Sequence, residues 1–83
     1  MAVYIIMLKD YEDENRVVYC YGPNEETMGK IEYDKKNGVI NQLSPINSDR
    51  YPDDFFFKRA GRRLARMIFK ENNNFVERTT IES

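Results

Sequence analysis

Apolar residues in the first half of this chain occur in short runs and alternations, a pattern typical of β-strands. Residues 2–8 form a continuous apolar run with several β-branched side chains, which indicates a strand buried on both faces. Residues 16–21 (RVVYCY) are also rich in strand formers and predict a second strand. The polar, acidic residues 9–15 predict a loop between the two strands. The turn-forming residues 22–24 (GPN) predict the end of the second strand.

The next two segments predict a β-hairpin. Apolar and polar residues alternate in residues 27–34, and residues 38–43 form a returning segment with strand character. Asn37-Gly38 stands at the junction, and this dipeptide between two alternating segments is a strong signal for a tight turn. We therefore expect the first four strands to form an antiparallel meander.

Residues 52–70 have the apolar spacing of an amphipathic helix. Pro52 suits the first helical position, and two aspartates follow in the first turn, where the helix dipole favours acidic side chains. The asparagines at 72–74 can end the helix in a left-handed conformation. The arc predicted to pack on the sheet carries Phe57, Ala60, Leu64, Met67 and Ile68.

The order of these elements predicts an α+β fold in a single domain that spans residues 1–83. An antiparallel four-stranded β-meander is expected to be covered on one face by the amphipathic C-terminal helix. Residues 75–81 alternate like a strand but lack strong flanking signals, so they predict either a fifth, C-terminal edge strand or a loose tail. A content of 41% hydrophobic residues suffices for the core of one such domain.

Charge is strongly segregated along the chain. Residues 55–70 carry six basic residues and no acidic one, although the whole chain has a net charge of −1. The basic side chains lie on the helical wheel opposite the apolar arc, where they form a candidate surface for a protein partner or nucleic acid. They are Lys58, Arg59, Arg62, Arg63, Arg66 and Lys70.

Three interpretations of this basic surface are open. It is a face that is solvated or paired with the acidic loops at residues 10–14 and 25–26, a docking surface for an acidic protein, or a surface for nucleic acid. Phe55 and Phe69 border the basic arc, and aromatic rings among cations are typical of a nucleic-acid surface. The net charge of −1 weighs against nucleic acid, because dedicated nucleic-acid-binding domains tend to be basic as a whole.

Tyrosine is frequent, with six in 83 residues. One helix covers only one face of a four-stranded sheet, so we expect an open face that carries Tyr4, Tyr19, Tyr21 and Tyr33. This face is either solvated or an interface, since tyrosine is enriched at buried contact centres. As an interface, it would bind another protein or pair with a second copy of the chain in a homodimer.

Nothing in the sequence indicates catalysis, a cofactor or a metal. Histidine is absent and Cys20 is the only cysteine, so the common Cys–His nucleophile and the usual structural zinc sites are not expected. The acidic clusters do not match a calcium loop, and the glycines lack the spacing of a phosphate-binding loop. The apolar start is too short for a membrane span, and the helix needs its apolar arc for the core, so membrane binding is not expected.

The sequence therefore predicts a small cytoplasmic protein that is not an enzyme. We expect it to act as a protein-interaction or regulatory module through the tyrosine-bearing sheet face and the basic helix face. Nucleic-acid binding through the arginine-rich helix is the alternative.

Overall fold

The computed structural model of the protein describes residues 4–46 and 53–82. In chain order its elements are β1 (Tyr4–Glu12), β2 (Arg16–Asn24), β3 (Thr27–Asp34), β4 (Val39–Ser44), α1 (Asp53–Phe69) and β5 (Arg78–Glu82). The strands form one antiparallel sheet in the order β4-β3-β2-β1-β5, and α1 packs on it. The predicted α+β fold with one C-terminal helix on an antiparallel sheet is confirmed. Pro52, which was expected to begin the helix, lies outside the described residues.

The C-terminal segment forms a fifth strand at one edge of the sheet. The chain leaves β4 at the opposite edge and returns through α1 to β5 beside β1. Leu8 pairs with Arg78 at one end of this antiparallel pair, and Tyr4 pairs with Glu82 at the other. Of the two alternatives for the C-terminal segment, the edge strand is correct.

The core lies between α1 and one face of the sheet. Phe56, Ala60, Leu64 and Met67 supply the fully buried stripe of the helix. Phe57 was expected in this stripe, but it is half-buried at its side, where its ring centroid lies 6.1 Å from that of Tyr21. From Phe56 the stripe advances by four residues to Ala60 and to Leu64 and by three to Met67, while Ile68, also expected there, is half-buried. The strands supply Ile5, Met7, Val17, Tyr19, Tyr21 and Ile31.

The acidic segment after the first apolar run belongs to β1 and not to a loop. The β1–β2 register shifts between Lys9 and Tyr11, so β1 contains a bulge and continues to Glu12. A bulge lets a strand absorb one extra residue and twist without leaving the sheet. The predicted loop is therefore reduced to the short turn between Glu12 and Arg16.

The Gly-Pro-Asn segment does not end β2 as expected. The β2–β3 register shifts between Tyr21 and Asn24, and β2 continues to Asn24 through this irregularity. A Cβ atom on Gly22 would collide with the backbone oxygen of Thr27, so only glycine permits the close approach of the two strands. Pro23 is tolerated because the ladder is irregular where its missing N–H would have donated.

The end of α1 follows the sequence prediction. Asn72 and Asn73 have φ angles of 54° and 60°, in the left-handed region that asparagine tolerates. The Asn73 N–H donates to the Met67 carbonyl at 2.9 Å, which caps a carbonyl of the last helical turn. The chain then turns back toward β5.

A basic surface on the helix beside the edge of β5

The predicted basic side chains lie on α1 and immediately after its end, on the side of the helix that faces away from the sheet. Lys58, Arg62, Arg66 and Lys70 are exposed, whereas Arg59 and Arg63 are half-buried. The four exposed side chains follow one i, i+4 row, and steps of this kind are about 6 Å long on an α-helix. The residues that the sequence assigned to one surface therefore do lie on one surface. We call the four exposed residues the outer row and the two half-buried arginines, Arg59 and Arg63, the inner pair.

Arg63 connects the helix to β5. Its Nη1 lies 3.1 Å from Glu71 Oε2, and its Nε donates to Thr79 Oγ1 at 3.4 Å. The side chain is only 20% exposed, so its charge is largely occupied within the protein. We therefore assign Arg63 to the docking of α1 on β5 and not to the outer surface.

Arg62 and Arg66 are the two exposed arginines of the outer row. Arg66 Nε lies 3.5 Å from the same Glu71 oxygen that Arg63 contacts, and its side chain is 69% exposed. Within residues 4–46 and 53–82, Arg62 makes no ion pair. One carboxylate is thus shared by two guanidinium groups, and a third guanidinium, that of Arg62, forms no ion pair in the described part of the chain.

A groove of about 360 Å³ lies between the arginines and β5. Ile81, half-buried, contributes an apolar wall, and Glu82 lies at the end of the same strand. The basic lining consists of Arg59, Arg62, Arg63 and Arg66. A second hollow continues from Arg62 and Arg66 toward Phe69 and Lys70. The surface therefore combines cations with apolar contacts, as protein and nucleic-acid interfaces do.

The two phenylalanines that border the basic arc have different environments. The Arg59 guanidinium carbon lies 3.7 Å from the centre of the Phe55 ring, so these two groups stack as a cation–π pair. Phe69 is 79% exposed, the largest exposed fraction of any large apolar side chain that the structure describes. An exposed ring of this size beside two cations is a candidate contact for a partner.

The acidic loops do not neutralise the helix. Glu12 contacts Lys9 at 2.8 Å and Lys35 at 2.9 Å, and hydrogen bonds from these lysines hold its pKa below the usual value. Glu25 contacts Arg78, at 3.5 Å. Within the described residues, none of the ion pairs formed by the two acidic loops reaches α1. The interpretation of the basic face as one paired with these loops is therefore wrong.

The predicted tyrosine face does not exist as one open surface. Tyr19 and Tyr21 have no exposed surface and lie beneath α1, and Tyr33 packs half-buried against the same core. Tyr4 lies on the opposite face and is 57% exposed. Alternate residues of a strand share a face, and Tyr19 and Tyr21 share theirs with Val17, on the side that the helix covers. The pattern grouped three of the tyrosines correctly but assigned them to the wrong side of the sheet.

The open face of the sheet has an apolar centre and a charged border. Ile6, Leu8 and Cys20 are half-buried there, and burial raises the pKa of the Cys20 thiol above its usual value. Lys30 pairs with Asp10 at 3.2 Å, and Arg16 pairs with Glu32 at 3.0 Å, at the border of this centre. The thiol is therefore protonated at neutral pH and lacks the low pKa of a reactive cysteine.

The edge of β5 is part of the candidate site that the sequence did not reveal. The Lys9 N–H donates to the Glu77 carbonyl at 2.8 Å, just before β5 begins. Backbone groups in an antiparallel pair face the partner strand at every second residue. Thr79 and Ile81 therefore bond to β1, while Arg78, Thr80 and Glu82 direct their backbone N–H and C=O groups to the outer edge.

In residues 4–46 and 53–82, no three His, Cys, Asp or Glu side chains are grouped closely enough to hold a metal ion. Of the described helical segments, none is long and apolar enough to cross a lipid bilayer. Comparison with known proteins gave no match: no family model fits the chain, and no curated protein or solved structure is significantly similar to it. The arguments for function therefore rest on the surface itself.

Proposed function

We propose that this protein is a small binding module without catalytic activity, and that its basic helix face binds an acidic segment of a partner protein. The observation that carries the proposal is the exposure of Arg62 and Arg66: among the described residues Arg62 forms no ion pair, and Arg66 shares the Glu71 carboxylate with Arg63. Guanidinium groups bind carboxylates through two parallel hydrogen bonds, which gives both affinity and orientation. A regulatory or accessory role suits such a module.

The spacing of the cations supports an acidic segment in an extended conformation. Arg62 and Arg66 are separated by four residues of helix, or about 6 Å along its axis. Alternate side chains of an extended strand are about 7 Å apart and project from the same side. Carboxylates at every second position of an extended segment would therefore meet successive cations of the helix.

Charge alone would make this binding weak. Exposed ion pairs contribute about 0.2–1 kcal/mol each, and salt screens them. The apolar contacts available beside the cations are Ile81 in the groove and Phe69 at its far end. We therefore expect the partner segment to alternate acidic with apolar residues and its affinity to fall as salt concentration rises.

Single-stranded nucleic acid is the second candidate, and Phe69 is the observation that favours it. This ring is 79% exposed and lies beside Arg66 and Lys70. A base can stack on an exposed ring while neighbouring cations bind the phosphates, and such a stack contributes about 1–3 kcal/mol. Phe69→Ala should then weaken oligonucleotide binding strongly.

The test is fluorescence anisotropy with two labelled probes, a synthetic peptide of alternating Glu and Val residues and a mixed-sequence single-stranded oligonucleotide. Arg62→Glu should weaken peptide binding at least about tenfold, because it reverses the charge at the least compensated position. Lys36→Glu makes the same change in net charge in the exposed β3–β4 turn and is the matched control. It should change the affinity by less than about twofold.

Equal effects of the two variants would show that only net charge matters, and the proposed surface would be wrong. Preference for the oligonucleotide, with loss of binding in Phe69→Ala, would replace the protein partner with nucleic acid. Circular dichroism of each variant establishes that the fold is intact.

A further inference from the structure

Of the two edges of the sheet, β5 is the one that lies beside the basic groove. β5 pairs with β1 alone among the described strands, so its outer side is an unpaired edge. The backbone groups of Arg78, Thr80 and Glu82 point outward there, as the alternation along the β1–β5 pair requires. An unpaired edge is a template on which another extended chain can form a ladder of hydrogen bonds.

Electrostatics opposes a second copy of this protein at the edge. Two copies that paired β5 with β5 about a two-fold axis perpendicular to the sheet would place their helices side by side on one face. The flanks of α1 that carry Arg62 and Arg66 would then face one another. Juxtaposed like charges oppose association, so the edge favours an acidic chain over a second basic helix.

We propose that the acidic partner segment binds by adding a strand to β5, under the arginines of α1. The inference rests on the proposed function and specifies its geometry. An added strand would form hydrogen bonds with the outward backbone groups of β5, while every second side chain would face the helix side of the sheet, as Thr79 and Ile81 do. These side chains enter the groove of Arg62 and Arg66, and acidic residues at these positions complement it.

Strand addition makes a prediction about the peptide backbone that charge alone does not make. In an added strand, the N–H groups of alternate residues point toward β5, and the others point away. Methylation of one alternate set of backbone nitrogens in the Glu–Val peptide should abolish binding, and methylation of the other set should leave it within about threefold. The charges of the two methylated peptides are identical, so each is the control of the other.

The matching change in the protein is Thr80→Pro. Proline removes the Thr80 N–H, which points to the outer edge and forms no bond with β1, so an edge strand tolerates it. Peptide binding should weaken at least about tenfold while circular dichroism and the urea midpoint remain near those of the original chain. Thr80→Ala keeps the N–H and should bind normally. If Thr80→Pro does not fold, the methylated peptides still decide the question.

The outcomes separate this inference from the proposed function. If Arg62→Glu weakens binding but both methylated peptides bind like the parent, the basic surface stands and strand addition is wrong. If Arg62→Glu has no effect, the proposed function itself fails. A dimer seen by light scattering that Thr80→Pro converts to a monomer would assign the edge to a second copy and would overturn the inference.

Discussion

Tyr19 joins the core to the segment that leads into β5. Its side chain is fully buried, its hydroxyl donates to the Val76 carbonyl at 2.6 Å, and the same oxygen lies 3.4 Å from the Met67 sulfur. One side chain of β2 therefore contacts both Met67, at the end of the buried stripe of α1, and Val76, in the segment between α1 and β5. Burial raises the pKa of the Tyr19 hydroxyl well above its usual value, because the ionised form would lose its water.

This shift predicts how stability changes with pH. The unfolded chain ionises the tyrosine near pH 10, whereas the folded chain retains the proton, so the contribution of Tyr19 is fully present below about pH 10 and is lost above it. Urea unfolding from about pH 8 to about pH 11 should show a decline of up to about 1.4 kcal/mol per pH unit that Tyr19→Phe lacks. At neutral pH this variant should be about 1–2 kcal/mol less stable, since the Val76 carbonyl loses its donor.

Tyr11→Phe is the control for this measurement. The hydrogen bond that the Tyr11 hydroxyl donates to Asp13, at 2.6 Å, also raises the pKa of Tyr11, but the residue is 46% exposed and water can replace the bond, so its part in the alkaline decline should be smaller. Parallel pH profiles of the original chain and Tyr19→Phe would contradict the assignment of the alkaline decline to Tyr19.

At the scale of the helix, we expect two neighbouring arginines to have opposite effects on stability. Arg62 lies four residues from both Lys58 and Arg66 and forms no ion pair within the described residues, while Arg63 bonds to Glu71 and Thr79. Like charges at i, i+4 are destabilising by about 0.2–0.5 kcal/mol per pair. Arg62→Gln should therefore raise the free energy of unfolding by about 0.5 kcal/mol at low salt and have little effect at high salt.

Arg63→Gln should instead lower the free energy of unfolding, by about 1 kcal/mol, because it removes hydrogen bonds that are largely shielded from water. Urea unfolding of both variants at two salt concentrations measures the difference. The same sign for both changes would contradict the division of the basic residues into an outer row and an inner pair.

The sequence predicted the features that are determined by residues close together along the chain. The Asn37-Gly38 turn, the helix and its asparagine stop are local signals, and each predicted an element that the structure contains. The orientation of Tyr19 and Tyr21 depends on which face the helix covers, and alternation within β2 does not contain that information. For Phe56 and Phe57, likewise, which of the two rings faces the sheet depends on how the helix packs, so Phe57 was expected in the buried stripe although the stripe begins at Phe56.

At the scale of the whole molecule, the candidate site is produced by the path of the chain. The basic residues were visible in the sequence, but the groove needs β5 beside β1, and this pairing joins residues more than sixty positions apart, such as Leu8 and Arg78. The sequence allowed a C-terminal edge strand, but strand order was not predictable from local pattern, so neither the pairing of β5 with β1 nor the groove could be predicted. Arg63 connects the basic residues that the sequence revealed to the groove that the fold creates, since it belongs to the predicted surface and bonds that surface to β5.

β5 should also protect the edge of β1 from pairing with other chains. Deletion of residues 78–83 would make β1 the edge of the sheet and expose its apolar residues, among them Ile5 and Met7. Long apolar edges pair with other chains, so the shortened chain should associate with increasing concentration and unfold at lower urea. Light scattering and urea unfolding measure the two effects. Ile81→Ala, which keeps the ladder, should associate no more than the original chain, and its free energy of unfolding should fall by about 1–3 kcal/mol. A shortened chain that associates no more than the original and has an unchanged urea midpoint would show that β5 has no part in holding the sheet.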